Sequence, residues 1–216
     1  MGTKAQIIQT SFELFCTRGY CLSVSDIARV LGIKTPSLYS HYDSKDQIIE
    51  LMIRDEIHHY FTCINNKMDQ SQQLNCKEML KDLYCFILEY FNSHKCLRFW
   101  RSISLIPNDH LKNTCSMLIA EKDAPYHNLL KHRFAKGIED GEIRADVSDR
   151  ALYLFLCMIQ GVLDGMLLYP KRLGDNSFAM EIFDTFWSGI RISLHSRAVC
   201  PICRRGNLLL PIGGLL

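Results

Sequence analysis

The stretch that decides the fold is Ile27-Ala28-Arg29-Val30-Leu31-Gly32-Ile33-Lys34-Thr35-Pro36-Ser37-Leu38-Tyr39. It meets the requirements of two short helices that cross steeply through a tight turn. Ala28 is small enough to stand where the helices touch, and Gly32 can adopt the left-handed backbone of the turn. The apolar residues that clamp the crossing angle are Ile27, Leu31, Ile33 and Leu38. Because these requirements are independent and are met at fixed spacing, the stretch predicts a helix-turn-helix.

Capping residues and apolar periodicity predict four helices in this region. They are residues 5–16, 24–32, 37–42 and 45–68. Ser23 with Asp26 predicts a capping box at the start of the second helix, and Ser44 with Gln47 predicts another before the fourth. Thr35-Pro36 supplies a capping side chain followed by a proline that a first helical turn tolerates.

Longer helices are predicted beyond residue 70, because only 12 Gly and 6 Pro occur among 216 residues. The predicted helices are Cys76–Asn92, His94–Ser104, Asp109–Gly137, Asp149–Tyr169 and Asn176–His195. The expected fold class is all-α, with a three-helix helix-turn-helix head in residues 1–50 and a larger helical bundle for ligand binding and dimerisation in residues 51–195. Residues 196–216 contain prolines and late glycines, which predict a disordered tail.

The head resembles the tetracycline-repressor (TetR) family of bacterial transcription regulators. The resemblance covers about residues 5 to 55. It depends on Leu14-Phe15-Cys16-Thr17-Arg18-Gly19-Tyr20, Ser25-Asp26-Ile27-Ala28, Gly32-Ile33-Lys34-Thr35-Pro36-Ser37-Leu38-Tyr39-Ser40-His41-Tyr42 and Ser44-Lys45-Asp46. A weaker resemblance follows at residues 137–144 and 159–162. The resemblance to the family implies a homodimer that binds an operator in double-stranded DNA and responds to a small molecule held by the C-terminal domain. A cytoplasmic location is expected because Met1-Gly2-Thr3-Lys4 leads into a periodic helix pattern and not into a signal-like apolar run.

The resemblance places the third helix in the major groove, and the polar residues of that helix agree with this placement. The expected DNA contacts are Ser25, Lys34, Thr35, Pro36, Ser37, Tyr39, Ser40, His41, Tyr42 and Lys45. Tyr42 and Lys45 are expected to reach phosphates, although Tyr42 is also interpretable as a core aromatic and His41 as a solvated surface residue. Residues 1–50 hold five Lys+Arg and five Asp+Glu, so the head lacks the basic excess that drives non-specific binding.

The dimer interface is predicted on the last two long helices. Gly161 and Gly165 share one helix face, and small residues at this spacing allow another helix to approach closely. With Phe183 and Trp187 they predict a bundle of two helices from each subunit. The alternative is a purely intramolecular core. The apolar run 151–169 is too interrupted for a transmembrane span and predicts a helix buried on most sides, so no membrane partner is expected.

Aromatic residues of the middle helices predict a largely apolar effector site. The candidates are Tyr84, Tyr90, Phe99, Trp100, Tyr126 and His127, each of which is also interpretable as plain core. No paired catalytic groups or nucleotide motifs occur, so the protein is predicted not to be an enzyme and to need no cofactor.

Two alternatives remain open at this point. One is a helical small-molecule-binding protein without specific DNA binding, and the other is a thiol redox sensor. Cys200-Pro201-Ile202-Cys203 with His195 forms half a zinc site, but a second pair of ligands is absent and no metal is predicted. The other eight cysteines are scattered singly and are expected to be reduced core residues.

Overall fold

The computed structural model describes residues 3–92, 94–173 and 176–192, and helices account for most of them. The helices are α1 (Thr3–Arg18), α2 (Val24–Leu31), α3 (Thr35–Tyr39), α4 (Lys45–Gln70), α5 (Cys76–Phe91), α6 (His94–Ile103), α7 (Asp109–Glu139), α8 (Ser148–Leu168), α9 (Pro170–Leu173) and α10 (Asn176–Ile190). The described ranges contain no strand beyond one isolated bridge between Ile143 and Arg191. The all-α prediction is confirmed. The predicted tail, 196–216, and its cysteine pair lie outside the described residues.

The helix-turn-helix has the predicted caps. Ser23 Oγ accepts a hydrogen bond from the Asp26 backbone N–H at 3.1 Å, and the Asp26 carboxylate accepts one from the Ser23 N–H at 3.2 Å. Gly32 ends α2 at φ +68°, a left-handed conformation that a side chain would strain. The capping box and the glycine together fix the length of α2 and the direction in which the chain leaves it.

The third helix is shorter than predicted and begins earlier. It spans Thr35–Tyr39 behind Lys34, and no side chain caps it, so the predicted Thr35 cap is wrong. The backbone N–H groups of His41 and Tyr42 both turn to the Leu38 carbonyl, at 3.0 and 3.1 Å. This tight turn replaces the last predicted helical turn and directs Tyr42 toward the core.

The head and the body share one hydrophobic core. Helix α4 runs without interruption across the predicted boundary between residues 50 and 51 and packs extensively on α7. Helix α1 packs on α6, where Phe99 lies with its ring centroid 5.0 Å from that of Phe12 and 5.5 Å from that of Phe15. The division into domains at residues 50 and 195 stays a prediction.

The C-terminal helices differ from the predictions at two places. No helix was predicted between Tyr169 and Asn176, but Pro170 starts the short helix α9 there, since proline is accepted in a first turn. Helix α10 ends at Ile190 rather than continuing to His195. The chain leaves the helix there because the Arg144 N–H donates to the Ile190 carbonyl at 2.9 Å and the Ile192 N–H to the Glu142 carbonyl at 3.1 Å.

Helix α8 is less buried than the sequence predicts. Within the described part of the chain, Arg150–Leu168 is long and apolar enough to span a membrane by length and composition, with 44% of that window buried. Its exposed face carries Tyr153, Leu154 and Leu168, the last of them 70% exposed. An exposed apolar face of this kind is typical of a site of contact with another protein surface.

Candidate nucleic-acid interface and ligand cavity

Helix α3 presents a polar surface to solvent. The predicted DNA-contacting residues that are exposed are Ser25, Lys34, Pro36, Ser37, Tyr39 and Ser40, and Thr35 and His41 are half-buried. Tyr39 is 52% exposed, a high value for a large aromatic side chain. Leu38, fully buried, anchors the helix from beneath. The Ser40 hydroxyl donates to the Ser37 carbonyl at 2.7 Å, and the Ser25 hydroxyl shares a hydrogen bond with Ser23. The Ser37 hydroxyl, the Lys34 ammonium and the Tyr39 phenol face solvent and can contact a groove.

Asp26 secures the start of α2 and links it to α1. Its carboxylate accepts hydrogen bonds from Ser23, pairs with Arg18 at 2.7 Å and also pairs with Arg29. The hydrogen bonds from Ser23 and then the Arg18 guanidinium lower the pKa of Asp26 from 3.8 to about 2. The two arginines of the head are therefore engaged by an acid and are not free to supply a basic surface.

The expected phosphate contact of Tyr42 is wrong. Its side chain is 6% exposed, and its hydroxyl donates to the Lys4 carbonyl of α1 at 3.2 Å. Burial raises the pKa of Tyr42, in agreement with an apolar surrounding. Tyr42 is the core aromatic of the alternative interpretation, and it ties the end of the helix-turn-helix to α1.

The expected phosphate contact of Lys45 stays a prediction, and its ammonium already has partners within the head. Its ammonium donates to the Tyr20 carbonyl at 3.0 Å and lies 3.8 Å from the centroid of the Tyr20 ring. This cation–π contact holds the Lys45 ammonium against the Tyr20 ring. Lys45 therefore joins the start of α4 to the end of α1.

A hydrogen-bonded link that the sequence analysis missed joins the head to the body. Asp46 accepts from the Tyr20 hydroxyl and from the Asn108 side-chain amide, both at 2.7 Å. Asn108 also caps α7, because its Oδ1 accepts from the Leu111 N–H at 3.0 Å. One side chain thus connects the first turn of α4 with the first turn of α7. The Asn108 cap was visible in the sequence, but its second partner was not.

A cavity of about 250 Å³, here called the core cavity, lies among α4, α5, α6, α7 and α8. Most of its walls are apolar. Its polar lining residues are Tyr60, Trp100, Arg101, Asp123, Tyr126 and Gln160. Of the predicted ligand contacts, Trp100 and Tyr126 line this cavity.

The other predicted ligand contacts lie elsewhere. Tyr84 is fully buried with its hydroxyl donating to the Ala179 carbonyl at 2.8 Å, and Phe99 is fully buried against α1, so both are core residues. Tyr90 donates to Glu56, and the His127 ring lies 6.0 Å from that of Tyr153. The prediction of a ligand contact is wrong for Tyr84 and Phe99, because helix periodicity does not distinguish a core aromatic from a cavity wall.

The charged groups that line the core cavity are Arg101 and Asp123. Arg101 Nε lies 2.7 Å from the Asp164 carboxylate, and its Nη1 donates to Gln160 at 2.9 Å. Burial raises the pKa of Asp123, while nearby His127 partly opposes this effect. The cavity therefore suits a mostly apolar molecule with a few hydrogen-bonding groups.

The predicted dimer residues divide between surface and core. Gly161 is exposed, and a Cβ built on it would meet nothing within 4 Å. Gly165 is buried. Phe183 is fully buried, with its ring 5.5 Å from that of Tyr84, and Trp187 is 6% exposed. Phe183 therefore has no surface for a partner, and its expected place in the interface is wrong; it supports the α8–α10 face from within.

The sequence model of the family described as "Bacterial regulatory proteins, tetR family" matches residues 7–52. Among curated proteins, the chain is 23% identical over 159 residues to the HTH-type transcriptional repressor KstR2 of Rhodococcus jostii, covering 72% of this chain and 74% of the relative. It is 26% identical over 158 residues to the negative transcriptional regulator IcaR of the biofilm operon of Staphylococcus aureus, covering 71% and 80%.

Solved structures share the fold. The ketosteroid transcriptional regulator KstR2 of Mycobacterium tuberculosis superposes with a TM-score of 0.67 at 19% identity, covering 89% of this chain and 96% of that one. The regulator FadR of Bacillus subtilis in complex with stearoyl-CoA gives a TM-score of 0.64 at 20% identity, covering 86% and 98%. The likeness extends from the head through the helical body.

Proposed function

The chain belongs to the TetR family of bacterial regulatory proteins, and we propose that it represses transcription as a dimer that leaves its DNA operator when a small molecule fills the core cavity. The observation that carries this proposal is the capped helix-turn-helix, with an exposed polar α3 anchored by a buried Leu38. Its curated relatives include proteins named as a repressor and as a negative regulator of transcription.

DNA recognition is assigned to α3 and its flanks. Lys34, Ser37, Tyr39 and Ser40 project from the exposed face of one short helix, which is the geometry of a recognition helix in the major groove. Ser25 at the start of α2 contacts the phosphate backbone in this arrangement. Since Lys45, Arg18 and Arg29 are engaged within the head, few free cations remain, so we expect binding to depend on specific contacts and on low salt.

The effector is assigned to the core cavity, with Trp100, Tyr126 and Asp123 among its contacts. FadR of Bacillus subtilis is described in complex with stearoyl-CoA, and KstR2 as a ketosteroid regulator. Both names concern molecules with a large apolar part, which agrees with the apolar walls found here. The two heads of a dimer can adopt an arrangement that fits the operator and one that does not. An effector that binds the second arrangement more tightly than the first releases the protein from DNA.

The effector and DNA sites are connected through the Asn108–Asp46–Tyr20 link. Helix α7 supplies Asp123 and Tyr126 to the cavity and is capped by Asn108. A displacement of α7 therefore reaches the first turn of α4 through the Asn108–Asp46 hydrogen bond, and Tyr20 through the Asp46–Tyr20 hydrogen bond, each 2.7 Å long. We place the protein in the cytoplasm, where its DNA is.

The expectation that the eight single cysteines are core residues is wrong for Cys21, Cys85 and Cys157, which are exposed. The buried cysteines give the thiol-sensor alternative little support. Burial raises the pKa of the Cys16 thiol to about 11 and that of Cys76 to about 12. Thiols with raised pKa values are poor nucleophiles at neutral pH, because the thiolate is the reactive form. The pair Cys200 and Cys203 lies outside the described residues.

Selection from random DNA duplexes at low salt tests the proposal. We expect an enriched two-fold symmetric sequence with the wild-type protein. Lys34→Ala should weaken binding to that sequence severalfold, because Lys34 lies at the start of α3. Lys131→Ala removes the same charge from an exposed position of α7 and should leave binding unchanged. Selection without an enriched palindrome, or equal effects of the two substitutions, would contradict the assignment.

A further inference from the structure

A second concavity, here called the α1–α4 groove, lies between those two helices and has a volume of about 560 Å³. It shares no lining residue with the core cavity. Its apolar lining residues are Ala5, Ile8, Phe12, Leu51 and Met52. The groove is therefore large enough for a drug-sized molecule and offers it apolar contact on both walls.

The charge of the groove is predominantly negative. Asp55 and Glu56 line it with two carboxylates, while Lys4 is the one Lys or Arg among its lining residues. None of the ion pairs in the described part of the chain involves Asp55 or Glu56. Both carboxylates are thus without a protein cation within ion-pairing distance.

Glu56 is held in place by neutral donors. Its Oε1 accepts from the Tyr90 hydroxyl at 2.8 Å, the Cys96 thiol at 3.3 Å and the Trp100 indole N–H at 3.4 Å. Its Oε2 has no hydrogen-bond partner within the described ranges. These donors fix the carboxylate but bring no positive charge, so a half-buried negative charge remains available to an occupant of the groove.

The core cavity differs from the groove in the charged groups that line it. The core cavity is lined by the Arg101 guanidinium and the Asp123 carboxyl, whereas the groove is lined by Asp55 and Glu56 with Lys4 as its one Lys or Arg. A positively charged ligand therefore meets a guanidinium in the wall of the core cavity and two carboxylates in the groove. The Phe12 ring on the opposite helix adds an aromatic face, and such faces attract organic cations.

We propose that the α1–α4 groove is a second ligand site, which binds a lipophilic organic monocation with Glu56 as its counter-ion. The apolar walls bind the body of the ligand, and Glu56 selects its charge. Asp55, exposed at the same groove, adds to the negative potential. The site touches α1 of the head and the part of α4 that lies in the body.

Isothermal titration of the full-length protein with tetraphenylphosphonium and tetraphenylborate tests the proposal, because these ions match in shape and differ in charge. We expect one phosphonium ion to bind per subunit, and the borate to bind at least tenfold more weakly. Glu56→Gln keeps an acceptor for Tyr90 but removes the charge, and should weaken phosphonium binding about fivefold, the effect of one partly exposed ion pair.

Glu50→Gln is the matched control, since it removes the same charge from the same helix where Glu50 pairs with Arg54 at 2.9 Å. It should leave phosphonium binding unchanged. Equal binding of the two ions, or equal effects of Glu56→Gln and Glu50→Gln, would overturn the proposal. If Glu56→Gln fails to fold by circular dichroism, exposed Asp55→Asn replaces it and must weaken phosphonium binding relative to the control, or the proposal fails. The measurement needs no operator, so its outcome is independent of the repressor proposal.

Discussion

At the scale of single residues, tertiary partners decide roles that residue type leaves open. Tyr42 and Lys45 stand where a phosphate contact is chemically reasonable, and the sequence cannot distinguish that role from an internal one. Tyr42 donates a hydrogen bond to the Lys4 carbonyl, 38 residues earlier in the chain. Lys45 contacts the backbone carbonyl and the ring of Tyr20, 25 residues earlier. By contrast, Ser23, Asp26 and Gly32 set the two ends of α2 through local contacts, and these capping roles were predictable from the sequence. The ion pair of Asp26 with Arg18 of α1 was not predicted.

Replacing Tyr42 by Phe tests its internal role. We expect the free energy of unfolding to fall by about 0.5–1.5 kcal/mol, because one partly buried hydrogen bond is lost. The affinity for the operator should not change, since the hydroxyl donates within the head and contacts no phosphate. Denaturant unfolding and titration with operator DNA measure the two effects. A weaker operator affinity with unchanged stability would restore the phosphate contact.

Asp26 predicts an acid-dependent stability of the head. A carboxyl whose pKa is depressed on folding stabilises the folded state above its unfolded value of 3.8, and this stabilisation is lost as the pH falls toward about 2. The melting temperature of the wild type should therefore fall across this window more steeply than that of Asp26→Ala, which has no such group to protonate. Thermal melts between pH 5 and 2 measure the difference, and parallel curves would refute it.

At the scale of elements, local signals predicted the helices well and their ends less well. Caps and glycines bounded α1, α2 and α4 within two residues, because these signals act over a single turn. The end of α10 was missed because it depends on pairing with residues 142–144, far away in sequence. The core cavity and the α1–α4 groove were not predictable, because Glu56 and Arg101 have ordinary helical positions in the sequence and acquire their surroundings only on folding.

Gly137 marks a close approach of helices that predicts a stability effect. A Cβ at this position would lie 2.8 Å from Cys76 Sγ and 3.0 Å from Ile143 Cδ1. Gly137→Ala should cost about 1–3 kcal/mol through overpacking. The matched change Gly161→Ala places a methyl in open space within one subunit and should leave subunit stability unchanged or raised. Equilibrium unfolding of both variants gives the comparison, and equal stabilities would contradict the close contact at Gly137.

At the scale of the whole molecule, the account requires two subunits joined through the exposed face of α8 with α10 beneath it. Tyr153, Leu154 and Leu168 leave an apolar surface uncovered in one subunit, and Gly161 lies between them. Burial of such a surface against its own copy removes it from water and sets two heads at a fixed distance. A recognition helix of five residues needs this second copy for useful affinity.

Gly161→Arg tests that interface without disturbing the subunit. The position is open within one subunit, so the fold should be retained, but a charged side chain should block the approach of the partner. We expect monomers by light scattering, a native circular dichroism spectrum and loss of operator binding together. Gly165 is unsuitable for this purpose because it is buried within the subunit. A dimeric Gly161→Arg protein that still binds DNA would place the interface elsewhere.

In the dimer proposed here, the two heads contact two half-sites of one operator. Nuclease or hydroxyl-radical footprinting of the wild-type protein on its enriched DNA sequence measures how many half-sites are occupied. We expect two protected half-sites, related by two-fold symmetry and centred about one helical turn, ~10 base pairs, or a multiple of it apart. Protection of a single half-site, or protection that ignores sequence, would contradict this expectation.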